Sequence, residues 1–218
     1  MARNYKQLFD VDWPSVTQIL QVYPKGQGFY NWLMEKGKDE SERIKTEAGT
    51  IGHNIHDTIE RMLKGEEVDT TYLTNKEEEL IEVFMNWWNN LKKEHKVKII
   101  HIEKPVINKV DKYVGTIDLV ISIDKQLWII DIKSSNYISS TFSLQLSAYK
   151  HAYIQTLKNT FEYVKSNLKE GIVLQSINPK LAIFHLKSNT FIEVEDEFET
   201  FLAVKKVWEF ENKNQMNF

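Results

Sequence analysis

The chain of 218 residues contains no cysteine. That excludes a disulfide scaffold, a zinc site built on thiolates and an iron–sulfur cluster. Proline is scarce, with four, and the eight glycines are scattered, so no linker, internal repeat or low-complexity segment stands out. No apolar run approaches membrane-spanning length, and the N-terminus lacks the pattern of a secretion signal. These absences lead us to expect a soluble, cytoplasmic protein with no membrane partner. A dominant charge is missing too. Twenty-eight Lys and Arg against 31 Asp and Glu leave a formal net charge of -3, which does not advertise a polyanionic partner. The stretch from Lys92 to Lys112 is a local exception. Seven lysines there face Glu94, Glu103 and Asp111, a difference of +4. It reads equally well as a positive path or as a solvated helix end and hairpin edge.

What is present suits one domain over residues 1–218, since 42% of the chain is hydrophobic and six residues are Trp. Residues 1–95 read as mainly helical. Short helices are expected at 14–22 and 28–36, and one or two helices at 41–64, ending near Gly65. A long amphipathic helix is expected at 75–95, with Leu80, Phe84, Trp87, Trp88 and Leu91 as its apolar stripe and Asn75 with Glu78 as a capping box. Residues 96–218 then read as a sheet core with flanking helices. Strands are expected at 97–107, 112–123 and 126–133, the last two joined at Asp124-Lys125. A helix at 140–157 follows, then strands at 171–177 and 181–187 around an Asn178-Pro179 turn. A final helix spans 195–211, with the acidic run from Glu193 to Glu199 at its first turn. The fold class is α/β: a central mixed sheet flanked by helices, with a helical N-terminal third.

Two aspartates, thirteen positions apart on consecutive strands, carry the chemistry: Asp118 in Gly115-Thr116-Ile117-Asp118 and Asp131 in Ile129-Ile130-Asp131-Ile132-Lys133. An ionised carboxylate in so apolar a setting is costly unless its charge is offset, and two together repel. A hard divalent cation such as Mg²⁺ or Mn²⁺ between them answers both problems. Strand alternation places Ile117, Leu119, Ile121 and Ile123 on one face and Asp118 with Thr116 on the other. Lys133 shares its strand face with Asp131, and an ammonium there can stabilise negative charge developing beside it. On the 41–64 helix, Ile51, Ile55, Ile59 and Met62 form an apolar stripe, while His53, His56 and Glu60 lie opposite. His53 therefore faces either solvent or the sheet end with the aspartates. His56 and Glu60, four apart, are placed for an ordinary surface pair.

These segments resemble the PD-(D/E)xK nuclease superfamily. The Gly-x-x-Asp and Asp-x-Lys strands match its core. Pro14-Ser15-Val16-Thr17-Gln18-Ile19-Leu20, Gly49-Thr50-Ile51-Gly52-His53 and Gln145-Leu146-Ser147-Ala148-Tyr149 are similar to further motifs of its RecB-like exonuclease branch. That branch includes phage and bacterial exonucleases and the mitochondrial genome maintenance exonuclease. The matches run in order from about residue 14 to 149, and the C-terminal third carries none. The resemblance implies a restriction-endonuclease-like core and a Mg²⁺- or Mn²⁺-dependent DNA nuclease, most readily an exonuclease on single-stranded ends. An endonuclease of the same fold, an RNA-directed nuclease and a binding module that has lost activity are the alternatives. Residue by residue, it implies a metal held by His53, Asp118, Asp131 and the Ile132 carbonyl. Lys133 would assist attack by water to leave a 5′-phosphate, with Gln145 holding the catalytic strand or the substrate phosphate. Tyr149, Ser134, Ser135 and Thr17 would contact nucleic acid. Glu103 is placed beside the ligands, and Glu60 near the site. Some relatives carry a four-cysteine iron–sulfur cluster; this chain has to close its fold without one. It also lacks a phosphate-binding Walker motif, so it contains no helicase motor of that type.

Overall fold

The computed structural model describes residues 4–167 and 178–215. Its centre is a five-stranded sheet in the order β1 (Val97–Asn108), β2 (Tyr113–Ile123), β3 (Gln126–Lys133), β4 (Lys180–His185) and β5 (Thr190–Val194). All neighbours are antiparallel except β3 and β4. A parallel pair needs a crossover, and α5 (Thr141–Asn167) lies between β3 and β4 in the chain. The sheet is mixed, as expected.

Helices cover both faces. On one side, α2 (Val16–Ile19), α5 and α6 (Phe198–Gln215) bury Val16, Ile19, Leu144, Ala148, Tyr153 and Phe201 against Val106, Tyr113, Ile117, Val120 and Ile129. On the other, α3 (Gln27–Leu63) and α4 (Asn75–Glu94) bury Ile55, Ile59, Leu80, Phe84 and Trp88 against Leu119, Ile121, Ile130, Ile132 and Phe184. The expected apolar stripes of both helices thus face the sheet. Trp87 stacks on Phe184 with ring centroids 4.4 Å apart. Helix α5 is buried all round at residues 144–150 because it is clasped between the sheet and α6.

Several boundaries differ from the sequence reading for identifiable reasons. The cap of α4 is Thr74, whose hydroxyl and amide are matched by Glu77, one position before the expected pair. Helix α2 starts after its cap Ser15, whose hydroxyl accepts from the Gln18 amide while the Gln18 side chain accepts from the Ser15 amide, so Pro14 lies outside it. A short helix, α1 (Tyr5–Phe9), was not expected. The helices expected at 28–36 and 41–64 run together through Gly37, whose φ of 73° and ψ of 174° break the helix at one residue. The strand expected at 171–177 lies outside the described residues. The 181–187 strand is β4, and β5 follows it after a tight turn ending at Asn189 in the left-handed region. Glu193 consequently belongs to β5, and only Glu199 lies in the first turn of α6.

The sheet also departs from strict alternation. Tyr113 and Ile117 pack towards α5, whereas Leu119 and Ile121 pack towards α3 and α4. Ile117 is therefore not on the face expected for it. The change of face coincides with Glu103 on β1, which lies opposite Asp118 in the register set by Ile102↔Leu119 and Lys104↔Ile117. Glu103 has φ 49°, and the ladder shifts by one residue nearby, between Ile99 and His101. Such irregularities sharpen local twist and re-aim side chains.

Candidate active site

The twist places acidic groups in a row. Glu103 on β1 is opposite Asp118 on β2. Continuing the β2–β3 register one step beyond Leu119↔Ile130 sets Asp131 beside Asp118. At that step the ladder opens, and the Ile132 amide donates to Asp118 Oδ2 at 2.9 Å. Asp118 thus closes the end of the hairpin with its own side chain. It remains 15% exposed, towards a cavity of about 480 Å³ lined by Gly52, His53, His56, Glu60, Glu103, Thr116, Asp118 and Tyr149, among others.

Helix α3 forms one wall. His56 Nδ1 lies 3.6 Å from Asp118 Oδ2. Ligand atoms of His56, Glu103 and Asp118 all come within 4.8 Å of one another. His53 lies one turn earlier, exposed, on the rim of the same cavity. Glu60 also lines it, but its ion pair is with Lys64 at 2.6 Å, not with His56. The sequence motif points to His53 as the ligand and leaves His56 as a surface residue; the roll of α3 against the sheet, which no sequence pattern gives, brings His56 beside Asp118.

Asp131 is 2% exposed, with Lys133 Nζ 2.7 Å from its Oδ2. That oxygen has an ion-pair partner by distance yet no hydrogen bond of good geometry. Burial pushes the carboxyl up to about 6; Lys133 draws it down, and the neighbouring Asp118 charge adds to the rise. Lys133 Nζ also donates to Gln145 Oε1 at 3.1 Å, and Gln145 Nε2 donates to the Tyr149 hydroxyl at 2.9 Å. Asp131, Lys133, Gln145 and Tyr149 therefore form one continuous polar chain from β3 to α5. Burial, then the charge of Asp131, holds the Tyr149 phenol well above its usual range, so it stays protonated. Since that oxygen accepts from Gln145, its proton is available to the cavity it lines.

The remaining expected contacts are spread more widely. Ser134 follows β3, and its hydroxyl sits 3.4 Å from where a side chain on Gly52 would begin. Ser135 donates to the Tyr137 carbonyl at 2.8 Å. The Ser135 carbonyl faces His185 Nε2 at 2.9 Å, while His185 Nδ1 lies 2.7 Å from the Ser188 hydroxyl. A carbonyl can only accept, so Nε2 carries the proton. Thr17 is exposed on α2, hydrogen-bonded to Ser15 at 3.1 Å, and does not line the cavity. Thr116, which the sequence reading did not select, lines the cavity and pairs with the Tyr5 hydroxyl at 2.8 Å.

Two carboxylates and an imidazole with converging atoms suit a hard or borderline divalent cation. The buried Asp131 oxygen without an aligned donor fits a site whose charge needs a further positive partner. The donor set thus fits a resident metal ion, and the absence of cysteine rules out a thiolate-bound cluster. No helix among the described residues is long and apolar enough to cross a membrane. Comparison with curated proteins finds no match. A family model described as the PD-(D/E)XK nuclease superfamily matches residues 32–206, a span that holds the cavity walls, both aspartates and Lys133. The chain belongs to the PD-(D/E)XK nuclease superfamily.

Proposed function

We propose that this protein is a divalent-cation-dependent DNA nuclease of the RecB-like branch, related to the mitochondrial genome maintenance exonuclease, that removes nucleotides from single-stranded ends. Membership of the superfamily supplies the coarser part: a nuclease with a nucleic acid substrate and a divalent metal. The observation that carries the metal-dependent hydrolysis is the meeting of His56, Glu103 and Asp118 beside the Asp131–Lys133 pair. The ordered RecB-like motifs in the sequence support the branch. Roles in DNA repair and recombination would follow from it.

When bound, Mg²⁺ or Mn²⁺ would offset the carboxylate charge and polarise a phosphate oxygen. Asp118 is the shared residue of the ligand sets considered. His56 and Glu103 are the partners favoured by distance; His53, Asp131 and the Ile132 carbonyl are those implied by resemblance. Lys133 acts as an oriented cation. Asp131 and Gln145 fix its ammonium from two sides, leaving a donor for the negative charge that builds on phosphate during in-line attack by water. Gln145 is a positioning residue, since it acts through Lys133 and Tyr149. Tyr149, its phenol kept protonated by burial, donates a hydrogen bond to a phosphate oxygen of the strand in the cavity. Ser134 and Ser135 hold the backbone of that strand where it leaves β3. The leaving 3′ oxygen then yields a 5′-phosphate product.

Linear and circular single-stranded DNA of one sequence test the reading. The expected result is cation-dependent release of mononucleotides or short products from the linear form alone. Cleavage of circles would transfer the site to an endonuclease. Faster degradation of the matching RNA would change the substrate class.

A further inference from the structure

The first part of α3 is not needed to build the cavity, yet it concentrates apolar side chains in solvent. Residues 27–36 include Phe29, Tyr30, Trp32, Leu33 and Met34, of which Tyr30 is 47% and Met34 73% exposed. After Gly37 breaks the helix, the segment folds back. Lys45 Nζ consequently lies over the Phe29 ring at 5.3 Å and the Trp32 ring at 6.0 Å. A straight helix would separate residues 29 and 45 by about 24 Å. The two arms enclose a cleft lined by Leu33, Met34, Lys38, Ser41, Glu42 and Lys45. The carboxylates of Glu35, Glu40 and Glu47 are taken up by Lys36 and Arg43; among the described residues Lys25, Lys38 and Lys45 form no ion pair, and neither do Asp39 and Glu42, which leaves three ammonium groups against two carboxylates.

We propose that this helical hairpin is a stacking platform for bases of a single-stranded nucleic acid whose end lies in the His56–Asp118 cavity. The proposal rests on the nuclease reading above. Flat rings, with Lys45 already seated over two of them and a small local excess of ammonium groups over carboxylates, are what a single strand recognises without regard to sequence. The platform is also continuous with the site. From Lys45 to His56 the helix advances about 16 Å at 1.5 Å per residue, the span of a few nucleotides. A strand lying along α3 would reach both. A duplex has its bases stacked inside and offers nothing to the rings, so the hairpin favours single strands.

The test uses the full-length protein and a Tyr30→Ala/Met34→Ala variant, with Tyr30→Phe as the conservative partner. Both residues are exposed, so their truncation removes no core. Binding of a long fluorescent oligothymidylate is measured in EDTA, and hydrolysis of the p-nitrophenyl ester of thymidine 5′-phosphate in Mn²⁺. The ester fills only the cavity. The double variant is expected to lose roughly tenfold or more in affinity for the oligothymidylate, to bind duplex as the wild type does, and to hydrolyse the ester at the wild-type rate. Tyr30→Phe should keep the affinity. Unchanged oligothymidylate binding by the double variant, with the ester still hydrolysed, would overturn the platform and leave the nuclease reading standing. A shift from dimer to monomer without loss of affinity would assign the apolar face to a second copy of the chain and also overturn it. Wild-type protein inert towards both ester and DNA would instead sink the reading on which the proposal rests.

Discussion

Gly115 lies against Tyr149 so closely that a Cβ on it would sit 2.4 Å from the ring's Cε1. The tyrosine is therefore laid across bare backbone, three residues before Asp118, and a side chain at position 115 forces it away. Because Tyr149 is bonded to Gln145, and Gln145 to Lys133, the disturbance travels along the polar chain. Gly115→Ala is expected to destabilise the fold by about 1–3 kcal/mol, the usual cost of overpacking, and to lower nuclease turnover. Thermal unfolding and nucleotide release measure the two effects. Wild-type values for both would contradict the packing argument.

Lys133→Ala should reduce turnover by about 10²–10³-fold, the scale of losing one oriented donor at a developing charge, while leaving DNA affinity nearly unchanged. Lys133→Arg should not rescue it, because a planar guanidinium cannot replace a compact ammonium held by Asp131 and Gln145. Single-turnover cleavage together with filter binding separates the two quantities.

Asp131 gives a pH signature. Its carboxyl is raised to about 6, so between the ordinary carboxylate range and that value the unfolded chain is the more ionised. The folded state then binds more protons, and its stability falls as pH rises through this window. Metal-free Asp131→Asn should accordingly be more stable than wild type above pH 6, with the difference shrinking as pH falls towards 4. Added Mn²⁺ should narrow the gap by stabilising the wild type more. Chemical denaturation across pH, with and without the ion, reads both.

The two histidines are separated by cation affinity. His56→Ala should weaken Mn²⁺ binding about tenfold or more, as loss of one ligand or its support does, and His53→Ala should do so less. Calorimetric titration of each variant decides. A larger loss in His53→Ala would restore the ligand set implied by the sequence motif.

The parts of this molecule legible in its sequence are those governed by local pattern. Period-two runs marked β1 to β3, and the apolar stripes of α3 and α4 marked the faces that meet the sheet. The Asp118–Asp131 spacing across a hairpin correctly put the two carboxylates on adjacent strands. Other features depend on how elements sit against one another. The change of face on β2 beside Glu103, which is in the left-handed region, is something no alternation rule anticipates, and it puts Ile117 on the α5 side rather than the expected one. The roll of α3 brings His56 rather than His53 within reach of Asp118. Strand β5 is five residues long, and Glu193 within it resembled a helix start. Gly37 could be read as a break, but only its dihedrals and the Lys45–Phe29 contact show that the chain folds back there.

The most direct measurement is release of nucleotides from end-labelled linear single-stranded DNA by wild type and Asp118→Asn, each with Mg²⁺ or Mn²⁺ and with EDTA. Rapid release by the wild type only in the presence of the ion, and its near-complete loss in Asp118→Asn, is the predicted result. Equal release by both proteins, or release that persists in EDTA, would contradict a metal-centred site at Asp118.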